Sequence, residues 1–456
     1  MRKLVLGFIL TLVAGLATAC QPPPTARYAI QDLGTLGGVS ASADDVNNAG
    51  HVVGWSMDSS SRQRAFRSDG VTMTDLGTIG GRESSATAIN DAGEVVGGSL
   101  VTDNTRNHAF LRPPPGPMGD LGTLGGTNDT SYARDVNASG EVVGGSYNTD
   151  DLLHAFQRGP STNNVMTDLG SLSQGGYSTA TAVNNNGDIV GNSENSAGQT
   201  RAFLRSGLYT GGRMGDLGTL GGSTSLAADV STSGFVVGSA FTASGQRHAM
   251  GIVYGGAMVD LGTLGGPDSD ARAVNEAGHV VGRSTTSSGD GHAFLHEGSS
   301  MVDLNSLIPA CTGWVLHEAT GINDHGQIVG SGTHNGVYRP FLLSPAPEAS
   351  IGDASVTEGD SGTRLATFTV SLDHTTSRSV SVGWATSNGS ASAPCDYTAA
   401  SGTVTFAPFQ RTRTLSVTVK GDLAVEANER FTVTLSAPNG VTVGDGVAQG
   451  SIVNDD

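Results

Sequence analysis

The sequence predicts an all-β chain: a seven-bladed β-propeller, with a β-solenoid as the alternative, followed by an immunoglobulin-like β-sandwich. Three observations carry this. A three-part signature recurs seven times between Asp32 and Phe341, at steps of 43 to 48 residues. Beyond Pro345-Ala346-Pro347 the pattern changes to strict alternation of apolar and polar residues. The composition, with 67 glycines, 14% charged and 5% aromatic residues, suits short strands and tight turns better than long helices.

The N-terminus carries an export pattern. Arg2 and Lys3 precede an apolar run from Leu4 to Leu16, and Ala17-Thr18-Ala19 come next. This is the pattern of a bacterial signal peptide, expected over residues 1–19. The run is shorter than the roughly 20 residues that span a bilayer. Cys20 comes after the small residues and resembles the lipobox of bacterial lipoproteins, whose cysteine becomes a lipidated N-terminus. The pattern departs in one place: Leu16 lies four residues before Cys20 rather than three. Ordinary secretory cleavage, leaving Cys20 as a free thiol, is the alternative. An odd exposed cysteine is a liability in an oxidising compartment, which favours lipidation at Cys20. Residues 20–27, with Gln21 and Pro22–Pro24, then form a short stiff tether. The expected location is the outer membrane or cell surface, with secretion as the alternative.

The chain carries 42 acidic against 24 basic side chains, a formal charge of −18. Such a surface disfavours nucleic acid and anionic lipid. Lys3 and Lys420 are the only lysines, which disfavours Schiff-base chemistry. Besides Cys20 there are only Cys311 and Cys395, in different modules, so neither a disulfide framework nor a zinc site is implied.

Residues 28–344 form the repeat region. Asp32-Leu33-Gly34-Thr35-Leu36-Gly37-Gly38 recurs from Asp75, Asp120, Asp168, Asp216, Asp260 and, weakened, Asp303. A second signature, as in Val46-Asn47-Asn48-Ala49-Gly50-His51-Val52-Val53-Gly54, reads as a hairpin. Its asparagine bonds the backbone just ahead, and its glycine accepts a positive φ. The third is Arg64-Ala65-Phe66, His108-Ala109-Phe110 and their equivalents through Arg339-Pro340-Phe341. About four short strands per unit, seven times over, predict a ring of blades; a solenoid comes from the same logic with an open end.

Seven copies of an aspartate read as structural, since a catalytic acid is needed once or twice. His108, His154, His248 and His292 exchange with Arg64, Arg201 and Arg339, and arginine cannot replace a metal-binding imidazole. The seventh unit breaks symmetry, with Asn305 for glycine and the insert Pro309–Trp314. No Gly-x-Ser-x-Gly, His-Glu-x-x-His or phosphate loop is present. The recurring signatures resemble the HAF repeats of bacterial extracellular proteins, over about Tyr28 to Ser344. That resemblance implies export and supplies no activity.

After a linker at residues 345–350, residues 351–456 predict seven strands: Ile351–Val356, Leu365–Leu372, Val380–Thr386, Thr403–Ala407, Thr412–Val419, Arg430–Leu435 and Val447–Val453. In a seven-strand antiparallel sandwich, alternate loops share one end. That places Glu358, Asp360, Asp396, Asp422, Glu426, Glu429, Asp455 and Asp456 at one pole, with Arg430 the basic residue beside them. Carboxylates a few ångströms apart repel by about 1–4 kcal/mol per pair in a solvated setting. Oxygen-only ligands on flexible loops point to Ca²⁺ rather than Mg²⁺; the alternative is a solvated acidic loop end.

The segment from Ala349 to Asp456 resembles the Calx-beta domain. The resemblance rests on Val356-Thr357-Glu358-Gly359, Asp396-Tyr397, Asp422 with Glu426 and Glu429, and Asp455-Asp456. In that family the corresponding acids bind calcium. Two departures stand out: Gly421-Asp422 replaces a pair of acids, and Phe409 replaces the turn glycine after Pro408. The sequence therefore implies an exported, lipid-anchored surface protein with a calcium-binding sandwich and a propeller serving as an interaction or adhesion scaffold. The alternatives are a glycan-acting hydrolase or lyase, or a lectin-like binder using one propeller face. The absence of a catalytic constellation weighs against an enzyme. The expected partner is an extracellular protein or glycan, with membrane contact through the N-terminal lipid alone.

Overall fold

The computed structural model describes residues 27–310, 312–376 and 379–455. The expected signal peptide, Cys20, Cys311 and Asp456 lie outside the described residues. Apart from two short 3₁₀ turns, Pro160–Thr162 and Leu304–Ser306, every described element is a strand. None of the described helices is long and apolar enough to cross a membrane.

The all-β expectation stands, but the architecture named for the repeats is corrected. Residues 28–345 form seven four-stranded antiparallel sheets, and every strand ladder is confined to its own sheet. The seven sheets show no closure through strand pairing, which argues against a true β-propeller. Nor is there the continuous ladder that runs through a β-solenoid. The region is described as seven discrete four-stranded sheets.

The frame of the repeat also shifts. The aspartate that opens each sequence signature ends the preceding sheet, as Phe66 pairs with Asp75 and Phe110 with Asp120. The Leu-Gly-Gly beyond it leads into the next sheet. Asp32 accordingly closes the strand Tyr28–Asp32, which pairs with Val337–Pro345 in the seventh sheet.

Each sheet is built alike because its residues demand it. The Val-Val and Ala-Phe pieces alternate into the spaces between sheets, where Val52, Val53, Ala65 and Phe66 are fully buried, as are Phe110, Phe156, Phe203, Phe294 and Phe341. Burying one such ring contributes about 2–3 kcal/mol. The glycine after Val-Val has a steric cause: a Cβ on Gly54 would lie 2.1 Å from the Ser42 carbonyl oxygen. The edge strand that leads into each asparagine turn also carries a β-bulge at an equivalent place, between Ala43 and Asp45 in the first sheet and Ala319 and Gly321 in the seventh. A bulge leaves one residue unpaired and re-aims its side chain.

Side chains link neighbouring sheets. Asn47 accepts the His51 N–H within its own turn, at 2.9 Å, and donates Nδ2 to the Asn90 carbonyl at 3.0 Å. The same donation runs from Asn90 to Asn137, Asn137 to Asn184, Asn184 to Ser231, Asn275 to Asn323 and Asn323 to Asn47. Ser231, which lacks the amide, interrupts the series. Three aspartates add a second link: Asp45 accepts from Ile89, Asp135 from Val183 and Asp229 from Val274.

The C-terminal sandwich packs two sheets. One orders Thr412–Gly421, Gly362–Leu372, Glu348–Ile351 and Thr442–Val443. The other orders Ala354–Thr357, Val447–Val453, Glu429–Asn439, Val380–Asn388 and Ser401–Phe406. The first predicted strand is in fact split at Gly352-Asp353, its halves joining opposite sheets. Phe368, Phe406, Phe431, Val417 and Val419 are fully buried between them.

Candidate metal centre

The sandwich fold gathers the loop acids through specific backbone contacts. Tyr397 is 1% exposed, stacks on Phe431 with centroids 4.5 Å apart, and donates its hydroxyl to Asn388 Oδ1 at 2.7 Å. This anchor fixes the neighbouring Asp396. Asp396 Oδ2 accepts the Ser392 N–H at 2.6 Å, and its carbonyl accepts the Lys420 N–H at 2.9 Å.

Glu429 enters from the start of the strand Glu429–Asn439, and Glu426 from the loop before it. Ligand oxygens of Asp396, Glu426 and Glu429 lie within 4.8 Å of one another. The cost of this grouping shows on Glu429. Desolvation, then the charge and hydrogen bond of Asp396, then Glu426 and Glu358, push its carboxyl up to about 7. Among the described residues these three acids are the group placed to share one cation.

Of the other expected ligands, Glu358 is near enough to act on the Glu429 carboxyl. Glu358 is buried, 6% exposed, and its N–H donates to the Val453 carbonyl at 3.2 Å. Asp455 Oδ1 accepts the Gly359 N–H at 2.9 Å, tying the first loop to the chain end. Asp360, Asp422 and Asp455 are exposed. Asp422 Oδ1 accepts the Ala424 N–H at 2.8 Å and so shapes its own loop. Oxygen donors on loops of this kind match the preferences of Ca²⁺; a thiolate or imidazole set would have pointed elsewhere.

Arg364 at the pole was not read from the sequence, and the structure gives a physical account of the two departures, Gly421 at the pole and Phe409 at the opposite end of the strand Thr412–Gly421. Arg364 lies against Gly359, its guanidinium 2.8 Å from where a Cβ on that glycine would sit. It belongs to the strand Gly362–Leu372, whose start falls three residues before the predicted Leu365. Gly421 has a steric cause: a Cβ there would lie 1.9 Å from the Gly359 carbonyl oxygen, so no acid fits. Phe409 adopts φ of 63°, the left-handed backbone of the glycine it replaces.

Residues 352–456 match the family model of the Calx-beta domain. The C-terminal sandwich is a Calx-beta domain. It is a calcium-binding module, and Ca²⁺ is its ligand. Among solved structures, the chain is similar to CBD12 from CALX1.2, at 26% identity and a TM-score of 0.23, over 24% of this chain and 46% of that one. It is also similar to the apo form of the Calx CBD1 domain, at 26% identity and a TM-score of 0.22, over 24% of this chain and 98% of that one. The calcium binding domain CBD12 of CALX1.1 gives 26% identity, a TM-score of 0.22, and coverage of 24% and 46%. The chain thus spans under half the length of the first of these. Comparison with curated proteins gave no match.

In the repeat region the polar signatures have structural partners. Each repeated aspartate accepts the N–H two residues on, as Asp75 does from Gly77 and Asp120 from Gly122, both at 2.8 Å. Most of these aspartates pair with the third signature, as Arg64 with Asp75 at 3.0 Å, His108 with Asp120 at 2.9 Å and His248 with Asp260 at 2.7 Å, whereas Arg201 donates to Gln199. Arginine and histidine exchange because either can donate to that carboxylate. In the seventh unit Asn305 bonds Asp303 and both backbone groups of Leu316, and Trp314 stacks on His334 at 4.7 Å. Cys395 is free and exposed.

Proposed function

We propose that the chain is an exported, lipid-anchored surface protein in which calcium orders the loop pole of the Calx-beta domain, and the repeat region presents an interaction face. The convergence of Asp396, Glu426 and Glu429 carries the calcium half. In this reading those three hold the first ion, and Glu358, Asp360, Asp422, Asp455 and Asp456 complete or extend the cluster. Lipidation at Cys20 and an extracellular protein or glycan as partner belong to the same reading. The repeated polar residues support a scaffold, because their hydrogen-bonding groups are spent on turns and on links between sheets.

The test is a binding screen of the mature chain against extracellular glycans and proteins, with calcium and with EDTA. The reading predicts at least one saturable partner and no turnover of it. A screen that returns no partner in either condition, or one that returns a cleaved glycan, contradicts it.

A further inference from the structure

One place in the repeats departs from the shared pattern in three residues at once, and a cavity of about 290 Å³ lies there. Its lining includes Arg134, Tyr132, Asn107, Gln63, Glu83 and Ser85. In the third sheet Arg134 is the bulged residue, between Ala133 and Asp135. The corresponding bulge residues are Asp44, Thr87, Thr181, Ala228, Arg272 and Thr320.

Arg272 is already neutralised, with Nε 2.8 Å from Glu318 and a second nitrogen 3.4 Å from Asp270. Arg134 is not. Among the described residues it has no ion-pair partner, and its guanidinium sits 4.9 Å over the Tyr132 ring. That contact holds the guanidinium plane while leaving the N–H groups at its edge free to meet a ligand. Asp44, within electrostatic reach, is raised to about 8 by desolvation and then by Asp45, so near neutrality it is largely protonated.

The surroundings are fitted to these side chains. Tyr132 lies over Gly145, where a Cβ would fall 2.7 Å from its hydroxyl oxygen. Asn107 donates Nδ2 to the Ser131 carbonyl at 2.8 Å and lies over Gly98, where a Cβ would fall 2.6 Å from that nitrogen. Equivalent positions to Asn107 hold Gln63, Leu153, Thr200, Arg247, Gly291 and Tyr338, so the combination occurs once.

We propose that this cavity binds a carboxylate-bearing sugar, a uronic acid residue of a glycan, with the carboxylate on Arg134 and its hydroxyls on Asn107, Gln63 and Glu83. Arginine presents a fork that matches a carboxylate, the amides donate to or accept from hydroxyls, and the Glu83 carboxylate accepts from them. Glu83 disfavours a second anionic group. The volume holds a sugar ring, where a bare carboxylate would leave it mostly empty. This rests on the reading of the repeat region as an interaction scaffold and names its ligand class; it is independent of calcium.

The test titrates the full mature chain, in EGTA, with a trimer of galacturonic acid, the neutral galactose trimer and acetate. The expected result is saturable binding of the uronate, with the neutral trimer and acetate at least ten-fold weaker. Arg134→Gln is expected to weaken uronate binding at least ten-fold, Arg134→Lys to fall between, and Arg272→Gln to match the wild type. Arg134 is exposed, so an unchanged melting curve accompanies its loss. Absent uronate binding, equal binding of acetate, or an Arg134→Gln variant that binds like wild type overturns the proposal. If the uronate fails while the wider screen finds another partner, the scaffold reading stands and this site falls.

Discussion

The Gly359 N–H donates to the Asp455 carboxylate at 2.9 Å, across 96 residues of sequence. This bond ties the first loop of the sandwich to the residues just after its last strand, Val447–Val453. Asp455→Asn keeps an acceptor oxygen for Gly359 but removes a charge. It should leave the metal-free melting temperature within about 1 °C while lowering calcium affinity roughly ten-fold, since one charge-assisted ligand is lost. Calorimetric titration alongside a melting curve in EGTA checks both halves.

Glu429 gives the pH dependence. Its folded-state carboxyl is raised from 4.5 to about 7 by desolvation and by Asp396. A carboxyl raised on folding favours the native state at low pH, and that contribution is lost as pH climbs from 4.5 to 7. Calcium binding displaces the same proton. In EGTA the transition assigned to the sandwich should therefore fall between pH 5 and 8, and the upward shift produced by calcium should be larger at pH 8 than at pH 5. Glu429→Gln should flatten the first trend. Melting curves across that range, with calcium or EGTA, decide it.

Gly421 predicts against the simple repair of the family pattern. Restoring an acid by Gly421→Asp would force a Cβ to 1.9 Å from the Gly359 carbonyl oxygen. The variant should lose about 2 kcal/mol or more through backbone displacement, with no gain in calcium affinity. Denaturant unfolding with and without calcium measures this.

Phe409 predicts in the opposite direction. It is 73% exposed and holds φ at 63°. A left-handed conformation costs a residue with a Cβ roughly 1–2 kcal/mol, partly offset in glycine by its larger unfolded-state entropy. Phe409→Gly should stabilise the sandwich by about 0.5–1 kcal/mol, read as a shift in the denaturant midpoint.

The seven-fold signature and the strand content were legible because periodicity and turn chemistry are local. Six of the seven predicted sandwich strands fall within one or two residues of an observed strand at most of their ends, since alternation of the kind seen in Phe368, Val370 and Leu372 is set by one buried face. Asp396, Glu426 and Glu429 were legible as a group because strand parity sends alternate loops to one end. What the sequence could not show is contact between segments far apart in it. Arg364 beside Gly359 and the steric demand at Gly421 both depend on two loops meeting. The frame of the repeat was misread for a related reason. Asp75 belongs by motif with Leu76 and Gly77 after it, and by strand pairing with Phe66 before it. The splitting of the first sandwich strand at Gly352 likewise needs both sheets in place.

Asp135 tests how the repeat sheets hold together. Its Oδ1 accepts from Val136 and its Oδ2 from Val183 of the next sheet, both at 2.7 Å. Asp135→Ala leaves both N–H groups without that acceptor and should cost about 2–3 kcal/mol. Desolvation raises the Asp135 carboxyl to about 7. The wild-type repeat region should thus lose some stability as pH rises from 4 to 7, and the alanine variant should lose less. Chemical unfolding at pH 5 and pH 8 separates the two effects.

Calcium at the sandwich pole is the central claim, and direct titration tests it most plainly. Calcium is added to the EGTA-stripped full chain and to an Asp396→Asn, Glu429→Gln double variant, with heat and melting temperature followed together. Saturable binding by the wild type, a calcium-dependent rise of its sandwich transition, and at least ten-fold weaker binding by the variant are the predicted results. A wild-type chain with no heat and no shift at millimolar calcium, or a variant that binds as tightly, would contradict the assignment of Asp396, Glu426 and Glu429 as the metal centre.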